Sequence, residues 1–228
     1  AWQGGGKTEL GGLVSHGVLW AIPSAILFLA SVTAAWGWWR DIGWTAPHWP
    51  SALRLQWVPF VYIAVFLALA VLAGLPAREV IAWVLLNCLM VGVSEEWMCR
   101  GVLVKGLQDR GCTPWQVLWV SSALFGLIHS LNVFVTGNLA NAVAQSCAAG
   151  MSGVLFYAIR VRTRSLIPVM VTHGLYDFSI FLMSSGRTDD ERQLAFGFDL
   201  GESEPVEPPA PERRAVRLLR PWRRRRRL

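Results

Sequence analysis

Ser94-Glu95-Glu96-Trp97-Met98-Cys99-Arg100-Gly101 sets three full charges at the end of the apolar run Val80-Ile81-Ala82-Trp83-Val84-Leu85-Leu86-Asn87-Cys88-Leu89-Met90-Val91-Gly92-Val93. A membrane helix that starts near Val80 carries those charges deep into the bilayer, where each costs ~2.5 to 3.5 kcal/mol on insertion scales and usually faces a bundle interior or a water-filled cavity. This reading makes the chain a membrane-spanning helical protein and the stretch its functional centre. Glu96 and Arg100 are four apart, with the acid N-terminal, the favourable order for a helical ion pair. Glu95 points elsewhere and has no partner in its own helix. A carboxylate held in low dielectric is suited to general-base work once other helices supply its partners.

Composition agrees. With 228 residues, 54% hydrophobic and 16% charged, and a mean hydropathy of +0.40, the chain is more apolar than an ordinary soluble domain. Several runs reach the ~20 residues that cross the hydrocarbon core. Trp36, Trp38, Trp39, Trp44, Trp49 and Trp57 cluster around one polar connection, as an interfacial belt would. The net charge of +6 does not point to nucleic acid, because much of the Arg excess falls at Arg213, Arg214, Arg217, Arg220 and Arg223 to Arg227, after the last apolar segment. Cys88, Cys99, Cys112 and Cys147 show no Cys-x-x-Cys spacing and read as reduced packing residues.

The fold expected is all-α, a polytopic transmembrane bundle of about six spans with the site inside it. Residues 1 to 12 read as a flexible N-terminus, 13 to 186 as the bundle, and 187 to 228 as a disordered tail, acidic and Pro-rich and then Arg-rich. The spans fall at Leu13 to Ala35, Trp57 to Gly74, Val80 to Leu107, Trp115 to Leu131, Asn138 to Ile159 and Leu166 to Met183. Leu13 to Ala35 is too long for a signal-peptide core and lacks a basic flank. His16 within it reads as structural, Arg40 to Gln56 as a loop, and Gly74-Leu75-Pro76 as a helix stop. Thr113 and Pro114 read as the N-cap and first residue of a new helix. The fifth span is rich in Ala and Gly, which permit close helix approach. Counting basic residues in the short loops favours the odd-numbered loops as cytoplasmic, whereas the Arg tail argues the opposite.

Two further pairs carry chemistry at helical spacing. Phe125 and His129 share a face of the fourth span, and His173 and Asp177 share a face of the sixth. At 1.5 Å per residue Glu95 lies ~22 Å along its helix, His129 ~22 Å from Pro114 and His173 ~12 Å from Ser165, depths that let the three meet in the inner half of a bilayer. Two imidazoles with carboxylates suit a catalytic zinc site with an open position for water, held by Glu95, His129, His173 and Asp177. Without metal, Glu95 and His129 would deprotonate a water while His173 and its neighbour stabilise an oxyanion. Both routes end in hydrolysis of an acyl bond, such as that of a peptide.

Glu95-Glu96-x-x-x-Arg100, Phe125-x-x-x-His129 and His173-x-x-x-Asp177, in that order on separate apolar helices, resemble the three motifs of the CPBP intramembrane proteases, which include the CAAX prenyl endopeptidases and Abi-type bacteriocin-processing proteins. The resemblance covers residues 80 to 183. It implies a (metallo)endopeptidase of a bacterial cell membrane acting on membrane-associated, prenylated or precursor peptides, with Glu95, Glu96, His129, His173 and Asp177 as its catalytic set. The prenyl endopeptidases carry Asn where this chain has Asp177. An ionised Asp cannot donate to an oxyanion, so Asp177 would ligate metal, hold a proton or orient His173.

Arg100 and Phe125 read as structural support, and Asn132 either as a cap or as a hydrogen-bonding group of the site. A proton-coupled transporter would use the same groups as a relay but calls for inverted repeats or broken half-helices. A non-catalytic immunity or scaffold protein would keep its function without Glu95.

Overall fold

The computed structural model describes residues 10–185, and every regular element among them is helical. The order is α1 (Leu10–Ser15), α2 (Ala21–Trp36), α3 (Trp49–Ala73), α4 (Arg78–Glu96), a π-helical turn (Trp97–Leu103), α5 (Val104–Asp109), α6 (Pro114–His129), a 3-10 turn (Ser130–Asn132), α7 (Val133–Thr136), α8 (Leu139–Thr163) and α9 (Ile167–Ser185). Among the described residues, four stretches are long and apolar enough to cross a membrane: Arg54–Ala73, Arg78–Asp109, Pro114–Thr136 and Leu139–Thr163. Ala21–Trp36 and Ile167–Met183 are apolar but shorter. The acidic and Arg-rich tail expected at 187–228, and residues 1–9 of the expected flexible N-terminus, lie outside the described residues.

Three boundaries differ from the sequence expectation, each for a local reason. The first span is not one rod. It breaks between α1 and α2 at Gly17, whose φ of 151° lies in the range that favours glycine, and the buried Asn87 side chain holds the break by binding Val14 O, Gly17 O and Leu19 N. Residues 10–12, expected to be flexible, belong to α1. His16 sits exposed in the break, and Pro23 falls in the first turn of α2, where a helix needs no N–H. The loop expected over 40–56 gives way at Trp49 to α3, which has a proline in its first turn. Buried Gln56 donates to Pro168 O and Thr172 Oγ1 and so ties the extended start of α3 to α9. The fourth span loses α-geometry after His129, passing through the 3-10 turn into α7.

Other expectations hold. Helix α3 stops at Ala73 before Gly74, and α6 begins with a full capping box in which Thr113 accepts from Gln116 N while the Gln116 side chain accepts from Thr113 N.

The bundle closes through glycines. Helix α9 packs chiefly on α4 and α3, and α6 on α8. A Cβ on Gly92 would stand 2.5 Å from Met170 O and 2.7 Å from Gly174 N, so α4 and α9 touch backbone to backbone. A Cβ on Gly126 would stand 2.6 Å from Ser146 O and 3.0 Å from Gly150 Cα, the same contact between α6 and α8. The small residues of the fifth span therefore serve packing.

Candidate active site

The two glycine crossings position the site. Gly92 lies one turn before Glu95 and Glu96, Gly174 is next to His173, and Gly126 lies one turn before His129. Close backbone approach at these points delivers the side chains of three helices to one place.

Glu96 and Arg100 form the ion pair expected from their spacing, with Nη1 to Oε1 at 2.8 Å, and both are fully buried. Arg100 sits in the π turn, a feature often found at functional sites. Its guanidinium lies 4.0 Å from the Phe125 ring centroid and 5.3 Å from that of Phe156. These faces attract the cation where Nε and Nη2 have no hydrogen-bond partner. The sequence assigned Glu96 only its own-helix partner, but the same Oε1 also accepts from His173 Nδ1 at 2.7 Å. Glu96 thus joins two helices, and its burial keeps it from attacking or deprotonating anything in the cleft. Phe125 packs edge-on against both imidazoles, at 4.8 Å from His129 and 5.7 Å from His173, while Phe156 stacks on His173 at 4.9 Å.

The tautomers follow from the partners. Nδ1 of His129 lies 2.7 Å from Phe125 O, which can only accept, so Nδ1 carries the hydrogen and the neutral ring presents a bare Nε2. His173 donates its Nδ1 hydrogen to Glu96, and its Nε2 lies 3.3 Å from Asp177 Oδ2. Glu95 Oε2 stands 3.9 Å from Nε2 of His129 and 3.9 Å from Nε2 of His173, with no hydrogen-bond partner. Both gaps are too long for a direct hydrogen bond. The Glu95 and Asp177 side chains keep 30% and 23% of their exposure, so both remain reachable from the cleft.

That cleft, of about 190 Å³, is lined by Glu95, His129, Asp177, Asn132 and Gln145, with an apolar wall that includes Leu13 and Val14 of α1. Asn132 donates to Gln145 Oε1 at 2.8 Å. The sequence signalled neither Gln145 nor the α1 wall, because both reach the site only through helix packing.

The types of donor at Glu95, His129, His173 and Asp177 suit zinc, and each imidazole has its Nδ1 tied to an acceptor, as ligating histidines do. As they stand, however, no three or more His, Cys, Asp or Glu side chains among the described residues form a metal-holding group. The chemistry below is developed from the side chains alone.

A family model described as type II CAAX prenyl endopeptidase Rce1-like matches residues 77–179, a span that contains all three motifs. No curated protein and no solved structure matches the chain.

Proposed function

We propose, from the match of the Rce1-like type II CAAX prenyl endopeptidase model to residues 77–179, that this membrane protein hydrolyses a peptide bond of a lipid-anchored substrate, a prenylated CAAX peptide in the first instance, with water activated by Glu95 and His129. The single observation carrying the mechanism is Glu95 Oε2, orphaned and shielded, at equal distance from the Nε2 atoms of two histidines on different helices.

In this mechanism a water bridges Glu95 Oε2 and the bare Nε2 of His129. Glu95 takes one of its protons as the water oxygen bonds to the scissile carbonyl carbon, and the carbonyl π electrons move to oxygen. His173, an imidazolium whose Nδ1 hydrogen is held by Glu96, carries its second proton at Nε2 between Asp177 and that oxyanion, so the charge develops beside a fixed cationic donor. Collapse breaks the C–N bond, and protonated Glu95 returns its proton to the leaving amine. Asp177 takes the orienting role among the three open to it, since it faces His173 Nε2.

The test is proteolysis of a fluorogenic farnesylated CAAX peptide by the purified protein in liposomes, comparing wild type with Glu95→Gln and His129→Ala. Loss of cleavage in both variants, with membrane insertion intact, supports the proposal. Unchanged cleavage in Glu95→Gln overturns it and returns the chain to the scaffold reading. Proton flux that depends on Glu95, without cleavage, would make it a transporter.

A further inference from the structure

We propose that Asn132 and Gln145 form a docking point for the substrate's main chain, an assignment that rests on the peptidase reading above. Asn132 ends the 3-10 turn that follows His129, and Gln145 belongs to α8. Their side chains meet at 2.8 Å, Asn132 Nδ2 donating to Gln145 Oε1, and both line the cleft that holds Glu95, His129 and Asp177. This bond uses one donor and one acceptor. Asn132 Oδ1 and the Gln145 Nε2 hydrogens remain unengaged, so the pair offers an acceptor on Asn132 and a donor group on Gln145. A peptide unit offers the matching N–H and C=O.

The surrounding structure fixes this pair. Ser146, next to Gln145, donates to Gly126 O at 2.7 Å, and the Gly126 crossing sets the register of α8 against α6. Thr136 donates to Asn132 O at 3.0 Å and holds the turn from its far side. The rest of the cleft wall is largely apolar, with Leu13, Val14, Leu19, Val91, Ile128 and Phe181. An extended substrate entering among these side chains would lose the hydration of its amide groups, and the Asn132–Gln145 pair is where they can be satisfied.

The experiment has two arms. In the first, binding of a fluorescent farnesylated CAAX peptide is measured on the non-cleaving Glu95→Gln protein, with and without Gln145→Leu or Asn132→Leu. Each added substitution should weaken binding about two- to tenfold, the value of one hydrogen bond. In the second, cleavage by Gln145→Leu and Asn132→Leu in the wild-type background should show a raised KM with kcat largely kept. Peptides N-methylated at single positions near the scissile bond provide the check on structure. One position should weaken binding to the Glu95→Gln protein, and that penalty should vanish when Asn132→Leu is added, because its partner Oδ1 is gone. Gln145→Glu, which keeps the acceptor for Asn132 Nδ2 and removes the free donor, should bind like Gln145→Leu. Unaltered affinity in the Leu variants, or an N-methyl penalty that persists without Asn132, overturns the docking assignment while leaving the peptidase reading intact. Binding with no cleavage by wild type overturns the peptidase reading alone.

Discussion

His173 Nδ1 donates to Glu96 Oε1 at 2.7 Å, so a residue of α9 is oriented by a carboxylate of α4 that cannot itself reach the cleft. The same oxygen accepts from Arg100 Nη1. Adjacent glutamates thus have separate tasks. Glu95 faces the two Nε2 atoms and the cleft, and Glu96 holds the ring that Glu95 faces.

Glu96→Ala should therefore fail differently from Glu95→Gln. Removing Glu96 leaves the buried Arg100 charge without its partner, a loss of about 3–5 kcal/mol for a buried pair. The expected result is a large drop in thermal unfolding temperature in detergent. Glu95→Gln should unfold close to wild type, and equal stability of the two variants would refute this division of roles.

Activity should follow the same order. Loss of the general base in Glu95→Gln should lower kcat by about 10²–10⁴. His173→Ala should cost a comparable factor, because it removes the donor beside the oxyanion. A His173→Ala enzyme with near-normal kcat would show that the oxyanion is held elsewhere.

Prolonged dialysis against a chelator should leave cleavage unchanged, since the proposed water activation uses Glu95 and His129 alone. Loss of activity that zinc alone restores, with one ion bound per chain, would transfer water activation to a metal held by Glu95, His129, His173 and Asp177.

The glycine crossings are asymmetric, and so should be their alanine variants. A Cβ on Gly126 meets Ser146 O at 2.6 Å, whereas one on Gly150 meets nothing nearer than Ser122 O at 3.7 Å. Gly126→Ala should destabilise by about 1–3 kcal/mol through overpacking. Gly150→Ala should be neutral or stabilising by up to ~1 kcal/mol through helix propensity. Thermal unfolding in micelles distinguishes them, and similar shifts in both would contradict the packing described.

Asn87→Ala should loosen the α1 wall of the cleft. Its side chain alone joins Val14 O, Gly17 O and Leu19 N to α4, so hydrogen exchange at residues 14–19 should speed up while α8 and α9 stay protected. Uniform exchange across the bundle would instead mean that Asn87 supports the whole fold.

Much of this was legible in the residues themselves. Apolar runs too long for a soluble core gave the helical membrane class. The local period of the helix alone gave the Glu96–Arg100 pair and the shared face of His173 and Asp177, and the Thr113-Pro114 dipeptide gave the N-cap of α6. The three motifs marked the residues that meet. The site's internal wiring was not legible. Nothing in the sequence distinguishes Gly92, Gly126 and Gly174, which set the crossings, from Gly150 beside them.

The sequence by itself determined that Glu95, His129 and His173 lie deep in separate apolar helices, because helix spacing and the cost of burying charge are local properties of a chain. Tertiary structure alone decided that Glu96 holds His173, that Glu95 stands midway between two imidazoles, and that Gln145 and a short N-terminal helix complete the cleft. Those relations depend on which backbones approach within contact. That is fixed by how whole helix faces fit together, and no spacing along one strand of sequence encodes it.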